Sequence, residues 1–319
     1  MFDLVTLGEL LIDFTEYGIS ENSQRLFEQN PGGAVANVVC AASRLGIKTA
    51  FIGKAGKDMH GTFLASTLKN ANVDIDNLVL SDEVFTTLAF VALGKDGERS
   101  FSFARKPGAD TCLTVDEVKT AMLTECKIFH VGSLSMTDEP ARGTTLYSVR
   151  TAKHHGAIIS YDPNYRQMLW KNKPEAMTHM RSLLPYADLV KISDEETELL
   201  TDHKEPEQAL RYLLSKGAQI AVVTLGDHGA MLGYNGMYTH IPGFKAPKVV
   251  DTTGAGDAFW GAFLSRILKG VPINDLDYDT LAEYVRFSNA AAALCVTKRG
   301  AIPAMPAEDE VIGFIEINQ

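Results

Sequence analysis

The sequence is poor in cysteine. Cys40, Cys112, Cys126 and Cys295 are the four in 319 residues, and no two have CxxC spacing. A disulfide scaffold or a zinc cluster is excluded, and free thiols in a reducing compartment are expected. No apolar run approaches the roughly 20 residues of a membrane span. The opening residues, Met1-Phe2-Asp3-Leu4, hold no basic region and soon meet Glu9 and Asp13, unlike a secretory signal. A cytoplasmic protein with no membrane partner is expected. A basic surplus is also missing: Lys plus Arg is 30, Asp plus Glu is 40, and the net charge is −10. Nucleic-acid binders carry such a surplus or a basic stripe, so no nucleic-acid partner is expected. An acidic chain that holds an anion must do so locally, with backbone amides, a few Arg or Lys, or a metal ion. Three familiar signatures are absent as well. Gly53-Lys54 and Gly56-Lys57 lack the Ser or Thr of a P-loop, there is no HExxH, and no GxGxxG follows a strand in the right context.

What is present is an α/β rhythm. Short β-branched runs predict strands over 4–7, 49–53, 128–131, 157–161, 189–192 and 220–225. Amphipathic stretches predict helices over 34–45, 58–69, 139–153, 174–184, 206–215, 255–269 and 280–297. Gly46 and Gly217 follow helices where a left-handed residue ends them, and Asp58 reads as an N-cap. Such alternation implies a mostly parallel sheet with helices on both faces. Two regions break the rhythm. Residues 16–30 are polar and follow a strand directly. Residues 87–93 and 98–103 read as strands around Lys95-Asp96-Gly97, a hairpin signal. A hairpin inserted in an α/β chain suggests a small β lid over the carboxyl edge of the main sheet, where open sheets bind ligands and a lid excludes water.

The densest chemical feature is Val249-Val250-Asp251-Thr252-Thr253-Gly254-Ala255-Gly256-Asp257-Ala258-Phe259. A Gly-Ala-Gly loop opens an apolar helix. Small residues let backbone N–H groups face a concavity, and the helix N-terminus adds roughly half a positive charge. Asp257, in the same turn, is placed to accept a proton. Amides for a phosphoryl group beside a carboxylate base are a layout for phosphoryl transfer to a hydroxyl. The plainer alternative is that Asp257 caps the helix and the glycines turn the chain. A second stretch, Pro31-Gly32-Gly33-Ala34-Val35-Ala36-Asn37, offers bare backbone and an amide side chain to a polyol.

Together these two stretches resemble the paired signatures of the ribokinase-like (PfkB) carbohydrate kinases. Their order and separation extend the resemblance over essentially the whole chain, as one domain over 1–319 with lid insertions at about 14–30 and 85–106. The resemblance implies a doubly wound, mostly parallel α/β fold with a small β-sheet lid that also forms a homodimer contact. It implies ATP and Mg2+ as cofactors and K+ as a further one. Asp257 is then the general base, with the amides of Gly254, Ala255 and Gly256 as an anion hole. Asp13, Gly32, Gly33 and Asn37 hold the sugar. Thr224, Gly226 and Gly229, in Thr224-Leu225-Gly226-Asp227-His228-Gly229, form the nucleotide loop, with Asn289 near the adenine. Many members carry Asn-x-x-Glu near the metal and phosphates. Here Ser193 replaces the Asn and Glu196 keeps the Glu, to order magnesium-bound water. Ser193 reads equally well as a helix cap. Carbonyls of Asp251, Thr253, Cys295, Lys298 and Gly300 are the implied K+ ligands.

Two more stretches bear on the substrate. Asp162-Pro163-Asn164-Tyr165-Arg166 and the lid segment from Glu98 to Asp110 resemble the fructokinase branch. Arg166 is expected to reach a phosphate or the sugar, and Arg105 to close over the substrate from the lid. Arg99 reads as a solvent-facing lid charge. The first expectation is ATP-dependent phosphorylation of D-fructose to fructose 6-phosphate. The alternatives are a 2-keto-3-deoxygluconate kinase, an aminoimidazole riboside or nucleoside kinase, and, from another class, a non-catalytic sugar or nucleotide sensor. A carboxylate substrate needs at least one unpaired Arg, and the sequence leaves open whether Asp110 and Asp162 neutralise Arg105 and Arg166.

Overall fold

The computed structural model describes residues 1–93 and 99–318. The turn read at Lys95-Asp96-Gly97 and the side chain of Arg99 lie outside the described residues. The strands are β1 (Phe2–Leu7), β2 (Leu11–Ile19), β3 (Arg25–Gly32), β4 (Thr49–Gly56), β5 (Asp74–Ser81), β6 (Leu88–Leu93), β7 (Arg99–Ala104), β8 (Cys126–Val131), β9 (Ile158–Tyr161), β10 (Leu189–Ser193), β11 (Ile220–Thr224), β12 (Gly229–Tyr234) and β13 (Met237–Pro242). The helices are α1 (Ala34–Arg44), α2 (Met59–Asn70), α3 (Thr120–Thr124), α4 (Ala141–His154), α5 (Lys173–Arg181), α6 (Thr197–Thr201), α7 (Pro206–Ser215), α8 (Ala255–Lys269), α9 (Tyr278–Cys295) and α10 (Glu308–Ile317).

The main sheet has nine strands in the order β13-β12-β11-β10-β9-β8-β1-β4-β5. It is parallel from β5 to β11, and β12 and β13 extend it antiparallel. Its strands alternate faces with the period of two that a pleated backbone imposes. Ile128, Leu189, Ile220 and Val222 point into one core, against Phe259, Trp260 and Phe263 of α8 and Leu281 and Val285 of α9. Phe129, Val190, Ala221 and Val223 point into the other, against α4, α5 and α7 through Val149, Met180 and Leu210. The doubly wound expectation holds. The hairpin of β12 and β13 has no counterpart in the sequence reading, although it turns at Asn235-Gly236 with both residues at positive φ, 47° and 77°. That dipeptide is a strong hairpin signal.

A second sheet of four strands, ordered β3-β2-β6-β7, forms the lid. β2 pairs antiparallel with β3 and parallel with β6, and β6 pairs antiparallel with β7. The polar segment that broke the α/β rhythm is thus half of the lid. Because β1 runs through Gly8–Leu10 straight into β2, the lid hangs from the carboxyl end of the central strand. Strand order also reverses at β1, with β8 on one side and β4 on the other. Such a switch point leaves a crevice beyond the strand ends.

Trp260 shows how tightly the α8 face is seated. It is fully buried, stacks on Phe263 at 5.0 Å between centroids, and donates Nε1–H to Ser160 Oγ at 2.9 Å. Trp260→Ala is expected to cost about 3–5 kcal/mol in urea unfolding. A loss below about 1 kcal/mol would mean that this face of the sheet is not packed as described.

Candidate active site

A cavity of about 620 Å³ opens where the switch point and the lid meet. Its floor comes from carboxyl ends of the main strands: Glu9 after β1, Asn164 and Arg166 after β9, Lys191 and Ser193 at the end of β10, and Thr224 and Gly226 after β11. Its roof is the lid, through Asp13, Thr15, Asn30, Val91 and Phe103. One wall is the segment 250–257 that leads into α8.

The local backbone explains why that wall is glycine-rich. Gly254 is the residue before α8 and has φ 79°. A Cβ there would stand 2.6 Å from the Cβ of Ala301. Only glycine meets both demands at low cost. The first turn of α8 therefore faces the cavity with amides that a helix leaves unpaired. Val249 and Val250 are exposed loop residues, so the β-branched run before this turn is not a strand.

Asp257 does not cap α8, which has no side-chain cap. Its carboxylate is buried and held from two directions. Asn37 Nδ2, on the first turn of α1, donates to Oδ2 at 2.8 Å, and Asn164 Nδ2 donates to Oδ1 at 3.0 Å. Burial pushes its pKa above the ordinary carboxylate value, while Lys191, Asn37, Arg166 and Asn164 pull it back. The other sugar-side residues converge on the same place. Gly33 has φ 115°, and a Cβ there would clash with the carbonyl of Glu9. A Cβ on Gly32 would clash with Asp13 Oδ2. Burial pushes Asp13 up to about 6, opposed by Arg166 and reinforced by Asp251 and Asp257.

Glu9 was not singled out from the sequence, yet it is buried in this cavity. Its Oε1 accepts the Ala34 amide at 2.5 Å and so fixes the start of α1, while Oε2 has no partner. Burial pushes its pKa up to about 7. Asn164 was quoted only as part of its loop. Its bond to Asp257 spans 93 residues, and no local pattern announces it.

The Ser193 and Glu196 readings merge into one arrangement. Glu196 Oε2 accepts from the Ser193 amide at 2.8 Å and its hydroxyl at 3.1 Å, and Oε1 accepts from the Tyr165 amide at 2.6 Å. A carboxylate has about four lone-pair sites. The three protein donors leave room for a metal-bound water rather than for the metal itself, in keeping with the water shell that magnesium retains. Among the described residues, no group of three or more His, Cys, Asp or Glu forms a metal cage.

Three predicted residues are placed away from the cavity lining. Arg105 is 7% exposed and belongs to the packed interior behind it. Its Nε donates to Asp110 Oδ2 at 2.8 Å, Nη1 to Thr137 Oγ1 at 2.9 Å and Nη2 to the Leu134 carbonyl at 2.9 Å. The expectation that Arg105 closes over the substrate is corrected: its donors are spent on the scaffold. Asn289 uses Nδ2 to hold the carbonyls of Ile241 and Pro242 at 3.2 and 3.0 Å, at the end of β13. Gly229 is a turn residue, where a Cβ would clash with the Ile241 carbonyl. Arg166, by contrast, lines the cavity. It donates to the Tyr165 carbonyl at 3.1 Å, faces Asp13 and Asp257, and leaves Asp162 to Lys191.

The two segments read as K+ ligands are brought together. Asp251 Oδ1 accepts from the Thr253 amide and hydroxyl at 3.0 and 2.7 Å, and Oδ2 accepts from the Gly300 amide at 3.0 Å. Cys295 Sγ lies 4.0 Å from the Thr253 carbonyl. Lys298 pairs instead with Glu310 at 3.3 Å.

A lidded α/β crevice with an amide cradle and a buried carboxylate defines a phosphotransferase acting on an alcohol. The pfkB family carbohydrate kinase model matches residues 1–308. Fructokinase-1 of Zea mays is 44% identical over 317 residues, covering 98% of this chain and 97% of that protein. The Xylella fastidiosa fructokinase with bound ATP superposes with a TM-score of 0.91 at 35% identity, covering 100% of this chain and 99% of that one. A double mutant of the Vibrio cholerae O395 fructokinase, in its fructose, ADP and potassium ion bound form, gives 0.88 at 31%, with 98% of each chain covered. The chain belongs to the pfkB family of carbohydrate kinases.

If Asp257 is ionised when it acts, activity is lost as pH falls through its pKa. Because that pKa is raised, the acid limb of the kcat profile is expected at higher pH than for an ordinary carboxylate. Asn164→Ala removes a bond to the ionised form, so the limb should move to still higher pH. An unmoved limb would separate Asn164 from the ionisation that controls turnover.

Proposed function

We propose that this protein is an ATP-dependent fructokinase that converts D-fructose to fructose 6-phosphate. The observation that carries the reading is the Asn37–Asp257–Asn164 clamp, which aims a buried carboxylate into a lidded cavity beside the α8 amides. Asp257 accepts the proton of the sugar hydroxyl. The hydroxyl oxygen forms its bond to the γ-phosphorus as the bond from that phosphorus to the ADP oxygen breaks. The amides of Gly254, Ala255 and Gly256 take up charge on the moving phosphoryl group, and Arg166 adds a positive charge on the same side. Asp13, Asn37 and the bare backbone at Gly32 and Gly33 hold the sugar. Ser193, Thr224 and Gly226 border the nucleotide, with Asn289 and Gly229 shaping that edge from behind. Lid residues cover the pocket, so water is kept from the acceptor position.

Charge distinguishes fructose from a keto-acid substrate. Arg105 is consumed by Asp110, and Arg166 faces two carboxylates, Asp13 and Asp257. Glu9 adds further negative potential. No unpaired guanidinium is left for a carboxylate, whereas a neutral polyol suits carboxylates that accept hydrogen bonds. The related fructokinases point the same way. A base held ionised also argues against a sensor, which has no use for one.

Magnesium arriving with the nucleotide would neutralise phosphate charge, with Glu196 holding its water. Potassium would be held by carbonyls of the joined segments at 251–253 and 295–300. The lid presents exposed Tyr17, Ile19 and Leu26 together with half-exposed Phe27 and Phe90. Such an apolar surface fits a homodimer through the lid, to be checked as twice the chain mass by light scattering. A monomer at all concentrations removes that contact.

Asp257→Asn is expected to lower kcat roughly 10²- to 10⁴-fold with fructose binding retained. Near-normal turnover would take the base role from Asp257. In a panel of fructose, tagatose, ribose, 2-keto-3-deoxygluconate and aminoimidazole riboside with ATP and magnesium, fructose should give the highest kcat/KM. Phosphorylation of the keto acid alone would overturn the substrate while leaving the family intact.

A further inference from the structure

The mechanism leaves one buried cation without a task. Lys191 lies near the end of β10, and its Nζ donates to Asp162 Oδ2 at 2.6 Å, with the two side chains 6% and 2% exposed. As a structural pair it is poorly built. Asp162 Oδ1 is buried without a partner. An ammonium has three donors, and Asp162 takes one. A buried ion pair repays its desolvation only when its remaining bonds are satisfied.

Its position supplies the missing reason. Lys191 lines the cavity next to Gly256 and Asp257. A Cβ on Gly256 would stand 3.1 Å from Nζ, so the ammonium lies against the first turn of α8, beside the amides of the anion hole. The absence of a side chain at 256 leaves it that space. The groups facing it are Asp162 from the end of β9, Glu196 from the turn after β10, Asp257 from α8 and His130 from β8. Arg166 faces Asp257 as well. Burial, followed by the charge of Lys191, pushes His130 down to about 3, so it is neutral there and adds no competing charge.

We propose that Lys191, oriented by Asp162, is a phosphoryl-binding residue that extends the α8 anion hole with a positive charge and keeps Asp257 ionised. This rests on the kinase reading and adds a side chain to it. The unused donors of Nζ point the pair toward a ligand that arrives with the nucleotide. Asp162, in the loop that also carries Asn164 and Arg166, ties that charge to the rest of the site.

The test compares Lys191→Met with Lys191→Gln. The glutamine keeps a donor for Asp162 and loses the charge. Both are expected to lower kcat about 100-fold or more, with KM for fructose within about threefold of the parent. Both should move the acid limb of the kcat profile to higher pH. By calorimetry, Lys191→Gln should bind ATP more weakly than the parent and ADP equally well. Recovery of kcat by the glutamine to within about threefold of the parent would mean that Lys191 merely supports Asp162, and would overturn the proposal. So would an unmoved acid limb, or equal losses for ATP and ADP. If Lys191→Met fails to fold, the glutamine variant carries the test alone. Parent protein that phosphorylates none of the sugars would sink the kinase reading instead, and the contrast between ATP and ADP would still decide the role of Lys191.

Discussion

A carboxylate buried in the fold must be either neutral or compensated. At Asp257 the compensation is the hydrogen-bonded clamp of two asparagine amides, one from α1 and one from the loop after β9. Much of the remaining architecture serves that clamp. α1 is fixed at its start by Glu9, which follows β1, and α8 packs on the same face of the sheet as α1. The loop after β9 is tied to the turn after β10 by the Tyr165 amide on Glu196, and to β10 itself by the Asp162–Lys191 pair. The base is thereby held by elements drawn from both halves of the chain, so its geometry depends on the whole fold being formed.

The same layout separates two kinds of polar group near the cavity. Arg105, Asp110, Thr87 and Thr137 form a closed set whose donors and acceptors meet one another. Such a set rigidifies its surroundings. Glu9, Asp162 and Asn37 each keep a buried oxygen without a partner. Unsatisfied atoms of this kind are uncommon in folded proteins, and here all three belong to residues that line or border the cavity. The lid joins the core through the Arg299–Glu28 pair at 2.8 Å and through Arg299 over the Tyr17 ring. Both contacts reach from the loop beyond α9 to the lid strands.

The sequence carried the fold well because the signals were local. Alternating buried runs, helix-ending glycines and the Asp58 cap, which accepts from the His60 and Gly61 amides, all describe neighbouring residues. The glycine loop at 254–256 was equally legible, since backbone freedom is written in residue type. What stayed hidden was partner choice. Arg105 and Arg166 are both arginines beside chemistry-bearing segments, yet one is paired five residues along with Asp110 and the other faces the cavity. Asn164 and Lys191 acquire their meaning only from contacts made 93 and 29 residues away. Asn289 illustrates the converse, since an amide placed by resemblance near a ligand spends its donors on the backbone at the end of β13.

The most direct measurement is a crystal structure with fructose and a non-hydrolysable ATP analogue bound together. The account predicts the 6-hydroxyl within hydrogen-bond reach of the Asp257 carboxylate, about 2.6–3.2 Å, with the γ-phosphoryl against the first turn of α8. Sugar bound outside the cavity between Asp13 and Asp257, or a γ-phosphoryl remote from the Gly254–Gly256 amides, would contradict it.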